Sequence, residues 1–225
     1  MNLVKSYDYF QPEKCRDRIH VIGCGAVGST VAENLARMGL TRITLYDFDK
    51  VESKNIANQM FRDCDIGKEK VDAVAEQLKL INPEIEKDLV IERDGYTDQK
   101  LNGYVILCVD NIDLRREIAT KNKTNSNIKA MFDYRIRMTD AQHYAADWAD
   151  PIQVDAFLRS MEFTHAEAEA ATPMSACHVT LSVVTTVRTI VAFGVQNMID
   201  FIRSGGEQIK KLMLVDMNHA AVDAF

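Results

Sequence analysis

Apolar residues along the first 133 positions alternate between two spacings. Short continuous apolar runs are typical of buried strands, whereas apolar residues three or four positions apart are typical of amphipathic helices. The two kinds of segment alternate, which predicts a Rossmann-like α/β fold: a doubly wound, mainly parallel sheet with helices on both faces. Strands are predicted at 19–22, 43–46, 88–92, 104–109 and 128–133, and helices begin near Gly25 and at Lys70.

The pattern changes after residue 133. Ala146 and Trp148 alternate with Asp147, which predicts an antiparallel strand, and a last strand is predicted at 211–216. Residues 149–176 are predicted to form a loop with short helices, followed by a long apolar helix at 179–202. Polar residues interrupt that helix, so we interpret it as buried rather than membrane-spanning. We expect one domain over 1–225, with a first part at about 18–133 and a C-terminal, partly antiparallel extension at about 134–225.

A glycine-rich turn with the spacing G-x-G-x-x-G follows the first strand. Gly23 permits the tight turn, Gly25 lets the backbone approach a phosphate, and Gly28 lets the helix pack closely on the strand. The helix that begins at Ala26 and Val27 directs N–H groups and a partial positive charge towards the turn. The turn therefore predicts a nucleotide site at about 18–133.

The next strand ends at Asp47, 19 residues after Gly28, where a carboxylate commonly holds a ribose hydroxyl. An NAD(P)-dependent oxidoreductase accounts for the chain as far as this residue and leaves the motifs beyond it without a function. The later residues are Asp47-x-Asp49-x-Val51-Glu52-x-x-Asn55-x-x-x-Gln59, then Gly67 and Lys70, then a strand that ends at Asp110-Asn111, with Arg115 shortly after.

This order of residues resembles the ThiF/MoeB/HesA family, adenylating enzymes related to ubiquitin-activating enzymes. The resemblance is strong over about residues 18–120 and weaker elsewhere. It implies binding of ATP and Mg²⁺ and activation of the C-terminal carboxylate of a ubiquitin-like or sulfur-carrier protein, or of a peptide, as an acyl-adenylate. It also implies a carrier that ends in Gly-Gly, and a homodimer.

The resemblance assigns roles to individual residues. Asp47 would hold the ribose beside Asp49, while Asn55 and Gln59 would contact the phosphates. Lys70 would neutralise phosphate charge, and Asp110 would hold Mg²⁺. The expected nucleotide contacts are Gly23, Gly25, Ala26, Val27, Gly28, Asp47, Asp49, Asn55, Asn58, Gln59, Lys70, Asp110, Asn111 and Arg115, and the expected catalytic residues are Lys70, Asp110, Arg62 and Cys177.

The chain departs from the family pattern at the phosphate segment. The family usually has an arginine immediately before the glutamine, and this chain has Asn58 there, with Arg62 nearby as a candidate substitute. The N-terminal segment also matches poorly. An arginine directed at a transferring phosphate is worth roughly 10³–10⁵ in rate in related phosphoryl chemistry. A nucleotide-binding member without catalysis is therefore an alternative.

Cys177 precedes the long apolar helix, in the region where family members often carry a cysteine that forms a thioester or persulfide with the carrier. A helix N-terminus favours a thiolate. The alternative is a buried structural cysteine. The five cysteines are scattered and form no C-x-x-C pair, so a structural zinc is not expected.

Charge and cysteine usage limit the setting of the protein. The net charge is −6 and there is no basic tract, which argues against nucleic-acid binding, and nothing favours a membrane surface. The odd cysteine number and the absence of a signal-peptide pattern predict a reducing, cytoplasmic location.

Overall fold

The computed structural model of the chain describes residues 1–171 and 182–225. Within these residues, eight strands form one sheet. They are β1 (Ile19–Ile22), β2 (Ile43–Tyr46), β3 (Val90–Glu92), β4 (Gly103–Leu107), β5 (Ile128–Arg137), β6 (Asp140–Asp147), β7 (Leu212–Asp216) and β8 (Ala221–Ala224). The strand order is β3-β2-β1-β4-β5-β6-β7-β8.

The sheet has a parallel and an antiparallel half that meet at β5. Strands β1 to β5 pair in parallel. β5 then pairs with β6 in an antiparallel hairpin, and β7 and β8 continue this arrangement. β1 lies between β2 and β4, so the strand order reverses beside β1, which is where ligands bind in open α/β sheets.

Helices cover both faces of the sheet. The described helices are α1 (Ala26–Arg37), α2 (Lys70–Ile81), α3 (Ile112–Lys121), α4 (Pro151–Arg159), α5 (His165–Ala170) and α6 (Val184–Arg203). Buried residues of α1, α2 and α6 form one core with one face of the sheet. Buried residues of α3 and α4 form a second core with the other face.

Two glycines allow close packing in the first of these cores. At Gly28 an added Cβ would collide with the carbonyl of Gly23, so the first turn of α1 lies directly on the glycine turn. At Gly194 an added Cβ would collide with the ring of Tyr134, which is almost completely buried. Gly194 thus lets α6 lie close against β5.

The predicted fold class is confirmed, with differences at the element ends. The strand predicted at 128–133 continues to Arg137, because it forms the first arm of the hairpin with β6. The strand predicted at 104–109 ends at Leu107, so Val109 belongs to the turn that carries Asp110. β8 was not predicted, since its four residues contain a single large apolar side chain. None of the described helices is long and apolar enough to cross a membrane.

Candidate active site

The glycine turn lies between the carboxyl ends of β1 and β4. Gly23 has φ +96°, and a Cβ there would lie 2.8 Å from the carbonyl carbon of Cys108, so the turn passes directly over the exit of β4. At Gly25, by contrast, an added Cβ would have no atom within 4 Å. The backbone at Gly25 therefore borders open space at the N-terminus of α1, as a phosphate-binding turn requires.

Asp47 closes the glycine turn from the β2 side. Its Oδ2 accepts a hydrogen bond from the backbone N–H of Cys24 at 2.6 Å, and its Oδ1 accepts from the N–H of Asp49 at 2.9 Å. Burial raises the pKa of the Asp47 carboxyl, although these two hydrogen bonds oppose the shift. Asp47 is thus fixed beside the turn, where the sequence places a ribose contact.

Lys70 lies beside Asp49 because two chain segments pair there. The backbone N–H of Lys70 donates to the carbonyl of Asp49 at 2.9 Å, and that of Val51 donates to the carbonyl of Lys68 at 2.9 Å. The Lys70 Nζ lies 2.7 Å from Asp49 Oδ2, and the side chains are 10% and 52% exposed, respectively. The ammonium group is therefore nearly buried against a carboxylate that faces solvent.

The Asn/Gln segment forms a compact turn against α1. Asn55 is buried, and its Oδ1 accepts from the N–H of Glu52 at 2.8 Å, so its side chain holds a short 3₁₀ helix, Ser53–Asn55. The N–H of Met60 donates to Ser29 Oγ at 3.2 Å and thereby ties the segment to the first turn of α1. Gln59 Oε1 is buried and lacks a hydrogen-bond partner among the described residues.

The side chain at the position of the missing arginine is directed towards the start of α6. Asn58 Nδ2 lies 3.5 Å from the carbonyl of Ser182. The candidate substitute, Arg62, pairs instead with the fully buried carboxylate of Asp65, through Nε at 3.0 Å and Nη2 at 3.2 Å. Burial alone would raise the pKa of Asp65, but hydrogen bonds from Arg62 and Lys68 hold it far below its usual value. Arg62 thus has a structural partner, and its catalytic role stays a prediction.

Asp110 follows β4 and is exposed at the exit of that strand. Its carboxylate has no hydrogen bond or ion pair among the described residues. The next residue, Asn111, caps α3 by accepting from the N–H of Leu114 at 3.0 Å. In the described part of the chain, the turn therefore presents an unpartnered carboxylate at the same carboxyl edge of the sheet as Gly25.

The Arg115 guanidinium is bound by acceptors of the protein itself. It is buried, and its Nε donates to the carbonyl of Val109 at 2.7 Å. Its Nη1 lies 2.5 Å from Asp133 Oδ1 and 2.6 Å from the carbonyl of Tyr134. Since protein groups already accept these hydrogen bonds, the geometry gives no support to the predicted nucleotide contact.

Sequence reasoning missed two residues that are linked to the Asp110 turn through Arg115. Asp133 and Arg135 lie on β5, which the periodicity marks only as an apolar strand. Arg135 Nε lies 2.6 Å from Asp133 Oδ2, so Asp133 joins two guanidinium groups. The spacing D-x-R on a strand predicts two side chains on one face, which is the signal that was available.

The cysteines near the site are poor nucleophiles. Burial raises the pKa of both Cys24 and Cys108, so neither thiol ionises near neutral pH. Cys177 lies outside the described residues, so the geometry does not test its predicted role.

The family model for the ThiF family matches residues 11–222. The chain belongs to the ThiF family. The match extends well past the region around 18–120 that carries the motifs, and it includes the antiparallel half of the sheet.

Curated relatives of this ThiF-family chain are ubiquitin-like modifier-activating enzymes. Ubiquitin-like modifier-activating enzyme 5 of Drosophila mojavensis is 34% identical over 149 residues, covering 56% of this chain and 35% of that protein. The same enzyme of Drosophila grimshawi is 33% identical with the same coverage. The chain therefore spans about a third of the length of these relatives.

Solved structures show the same fold. Escherichia coli MccB with succinimide matches with a TM-score of 0.72 and 16% identity, covering 95% of this chain and 65% of that one. PaaA matches with a TM-score of 0.68 and 15% identity, also covering 95% of this chain and 65% of the other. A further match, with a TM-score of 0.67 and 17% identity over 95% of this chain and 64% of the other, is MccB with ATP.

The residues present fit a magnesium nucleotide. The open backbone at Gly25 leaves room for a phosphate at the N-terminus of α1. Mg²⁺ in such sites is held by one or two carboxylates together with phosphate oxygens and water. Asp110 could supply one such carboxylate, and the described chain contains no cluster of three or more His, Cys, Asp or Glu residues that could hold a metal ion.

Proposed function

We propose that this chain binds ATP with Mg²⁺ at the glycine turn and uses it to activate a C-terminal carboxylate as an acyl-adenylate. The carboxylate belongs to a ubiquitin-like or sulfur-carrier protein ending in Gly-Gly, or to a peptide. Membership of the ThiF family and the ubiquitin-like modifier-activating relatives support adenylation. The solved structures of MccB with ATP and of MccB with AMPCPP and MccA support a nucleotide together with a second substrate.

One observation carries the proposal most directly. Asp110, whose carboxylate has no partner among residues 1–171 and 182–225, follows β4 where the backbone of Gly23 lies on Cys108, so a divalent cation at Asp110 would face phosphates held at Gly25. A nicotinamide cofactor needs no such carboxylate beside its pyrophosphate. Lys70 likewise has no function in a dehydrogenase. The arrangement therefore favours a magnesium nucleotide over NAD(P).

The proposed reaction needs no general base, because the attacking carboxylate is already ionised at neutral pH. Its oxygen forms a bond to the α-phosphorus, the bond from that phosphorus to the α,β-bridging oxygen breaks, and pyrophosphate leaves with the electron pair. Catalysis then depends on positioning and on cations near the developing charge. Mg²⁺, when bound, would supply charge neutralisation at the phosphates.

Individual residues have distinct parts in this proposal. Asp47 holds the ribose side of the turn, and Asn55 shapes the segment that presents Gln59 to the phosphates. Lys70 is held ready by Asp49 and contributes its charge when phosphates arrive, while Asp110 holds the metal. In this proposal Arg115 acts through the Val109 carbonyl on the Asp110 turn, and its predicted nucleotide contact stays a prediction.

Calorimetry on the purified protein tests the nucleotide. We expect Mg-ATP to bind and NADH to give no heat. NADH binding without ATP binding would overturn the proposal in favour of an oxidoreductase. An Asp110→Asn variant serves as the internal check, since it should lose the part of the ATP affinity that depends on Mg²⁺.

Exchange of labelled pyrophosphate into ATP, measured with a candidate carrier, separates an active enzyme from a nucleotide-binding scaffold. The scaffold alternative rests on Asn58 and on the engagement of Arg62 with Asp65. Exchange that depends on the carrier tail supports adenylation, and ATP binding without exchange supports the scaffold.

Four further assignments stay predictions with their own tests. A Cys177→Ser variant that still transfers the carrier would make this cysteine structural. Sedimentation equilibrium would test the expected homodimer, and cell fractionation the expected cytoplasmic location. Limited proteolysis would test whether residues 1–225 form one domain.

A further inference from the structure

A buried carboxylate between two arginines lies directly behind the Asp110 turn. The Asp133 side chain has no exposed surface, and its two oxygens are bound by different guanidinium groups, Arg115 Nη1 at 2.5 Å and Arg135 Nε at 2.6 Å. Buried ion pairs stabilise a fold weakly, because desolvation offsets much of the attraction, and apolar replacements are often neutral or stabilising. A contribution to stability alone therefore explains poorly why the chain buries the triad of Arg115, Asp133 and Arg135.

The Arg115 side of the triad fixes the peptide before Asp110. Both Nε and Nη2 of Arg115 donate to the carbonyl of Val109, the residue that directly precedes Asp110. On the other side of Asp110, Asn111 is held as the cap of α3. The Asp110 carboxylate has no partner of its own in the described chain, so its place in space depends on these two neighbours.

The Arg135 side of the triad extends to the end of α4. Arg135 Nη1 donates to the carbonyl of Ser160 at 2.7 Å, and Nη2 donates to its hydroxyl at 2.9 Å. The guanidinium also lies over the ring of Tyr144, 4.2 Å from the centroid. Packing and hydrogen bonds thus hold Arg135 still, and Arg135 in turn holds Asp133.

We infer that Asp133 is a positioning residue that, through Arg115 and the Val109 carbonyl, sets the Asp110 carboxylate for a divalent cation bound with ATP. This inference rests on the proposed function and deepens it. Asp133 itself touches neither metal nor nucleotide. Groups that orient a metal ligand from behind typically change metal affinity by about 10- to 100-fold when they are replaced.

The test compares ATP affinity with Mg²⁺ and with EDTA, by calorimetry, for the wild type and for Asp133→Asn. The substitution keeps the shape of the side chain and removes the charge that orients Arg115. We expect roughly a tenfold or greater loss of the Mg²⁺-dependent gain in affinity, with ATP affinity in EDTA unchanged. Electron paramagnetic resonance of Mn²⁺ in the presence of ATP should show the same weakening without any turnover.

Asp113→Asn is the matched control. Asp113 lies on α3, and its Oδ1 lies 2.6 Å from Arg116, which donates to the carbonyls of Met161 and Phe163 rather than to Val109. This control should keep the full Mg²⁺-dependent gain. An equal loss in Asp113→Asn would overturn the inference, because the effect would then be general to ion pairs of α3.

A second variant decides the matter if Asp133→Asn does not fold. Arg115→Lys keeps the positive charge, but a single ammonium cannot serve Val109, Asp133 and Tyr134 together, so it should lose the same gain. A folded Asp133→Asn or Arg115→Lys that retains the full gain would overturn the inference and leave the proposed function standing. A wild type that binds no ATP would overturn the proposed function and this inference with it.

Discussion

At the scale of single residues, the site consists of groups that are already engaged and groups that are free. Lys70 pairs with Asp49, and Asp47 accepts two backbone hydrogen bonds. The backbone at Gly25 borders open space, and the exposed Asp110 carboxylate has no partner within the described ranges. The hydrogen-bonded and ion-paired groups give the site its shape before any ligand binds. The groups without a partner are those whose contacts a bound ligand would change most.

Replacing Lys70 by alanine tests the cation. We expect the rate of pyrophosphate exchange to fall by about 10²–10³, the loss seen when one preorganised donor to developing charge is removed. Lys79→Ala is the matched control on the same helix, because its Nζ pairs with Glu86 at 2.9 Å on the surface. Equal losses in the two variants would show that the effect is not specific to Lys70.

Gly25→Ala separates binding from folding. Gly25 has φ −74° and ψ −148°, and an added Cβ meets no protein atom within 4 Å. Alanine adds no clash there, and holding it at this ψ, outside the regions that non-glycine residues favour, should cost about 1–2 kcal/mol of the free energy of unfolding. The methyl group also occupies the space needed by a phosphate, so ATP affinity falls. Gly28→Ala should destabilise the fold more strongly, since its Cβ would collide with the Gly23 carbonyl. Denaturant unfolding and calorimetry check both; unchanged ATP affinity in Gly25→Ala would contradict the placement of the phosphates.

At the scale of elements, the sequence predicted the parallel half of the sheet well, because each strand there is a short apolar run followed by a glycine, an acid or an amphipathic helix. It predicted the start of β5 but not its C-terminal end, since Asp133, Arg135 and Arg137 interrupt the apolar run while the hairpin with β6 continues. The partners of Arg115 and Arg62 could not be predicted. Their acceptors are set by tertiary packing, and motif spacing says nothing about where a guanidinium turns.

The contact between α6 and β5 leads to a prediction about packing. Gly194→Ala forces a methyl group into the ring of Tyr134, so we expect a loss of about 1–3 kcal/mol in the free energy of unfolding. Ala192→Ser on the exposed side of α6 is the control and should change stability little. Urea unfolding of both variants gives the measurement. A fully stable Gly194→Ala would mean that the helix can shift away from the sheet without cost.

At the scale of the whole molecule, two buried histidines couple stability to pH. Burial lowers the pKa of His143 to about 4, and burial likewise lowers the pKa of His20 to about 4. An unfolded histidine titrates near 6.5. Between pH 6.5 and 4 the unfolded chain therefore binds more protons than the folded one, and stability falls as the pH falls through this window.

The size of this fall can be measured by urea unfolding at pH 7 and pH 5. We expect each histidine to contribute a loss of about 2 kcal/mol at pH 5. His143→Gln should remove its share of the pH-dependent loss, whereas His219→Gln, at an exposed turn, should leave the loss in place. A loss that is identical in wild type and His143→Gln would show that His143 does not carry it.

The packing of α1 against α6 also has a consequence for the order in which the protein forms during synthesis. The glycine turn and α1 are made well before α6, which begins only at Val184. At 5–20 residues per second, roughly 8–30 s separate the two events. During that interval the surface of α1 that α6 later covers stays open to solvent, so the helix that carries the glycine turn gains its final packing only after α6 has been made.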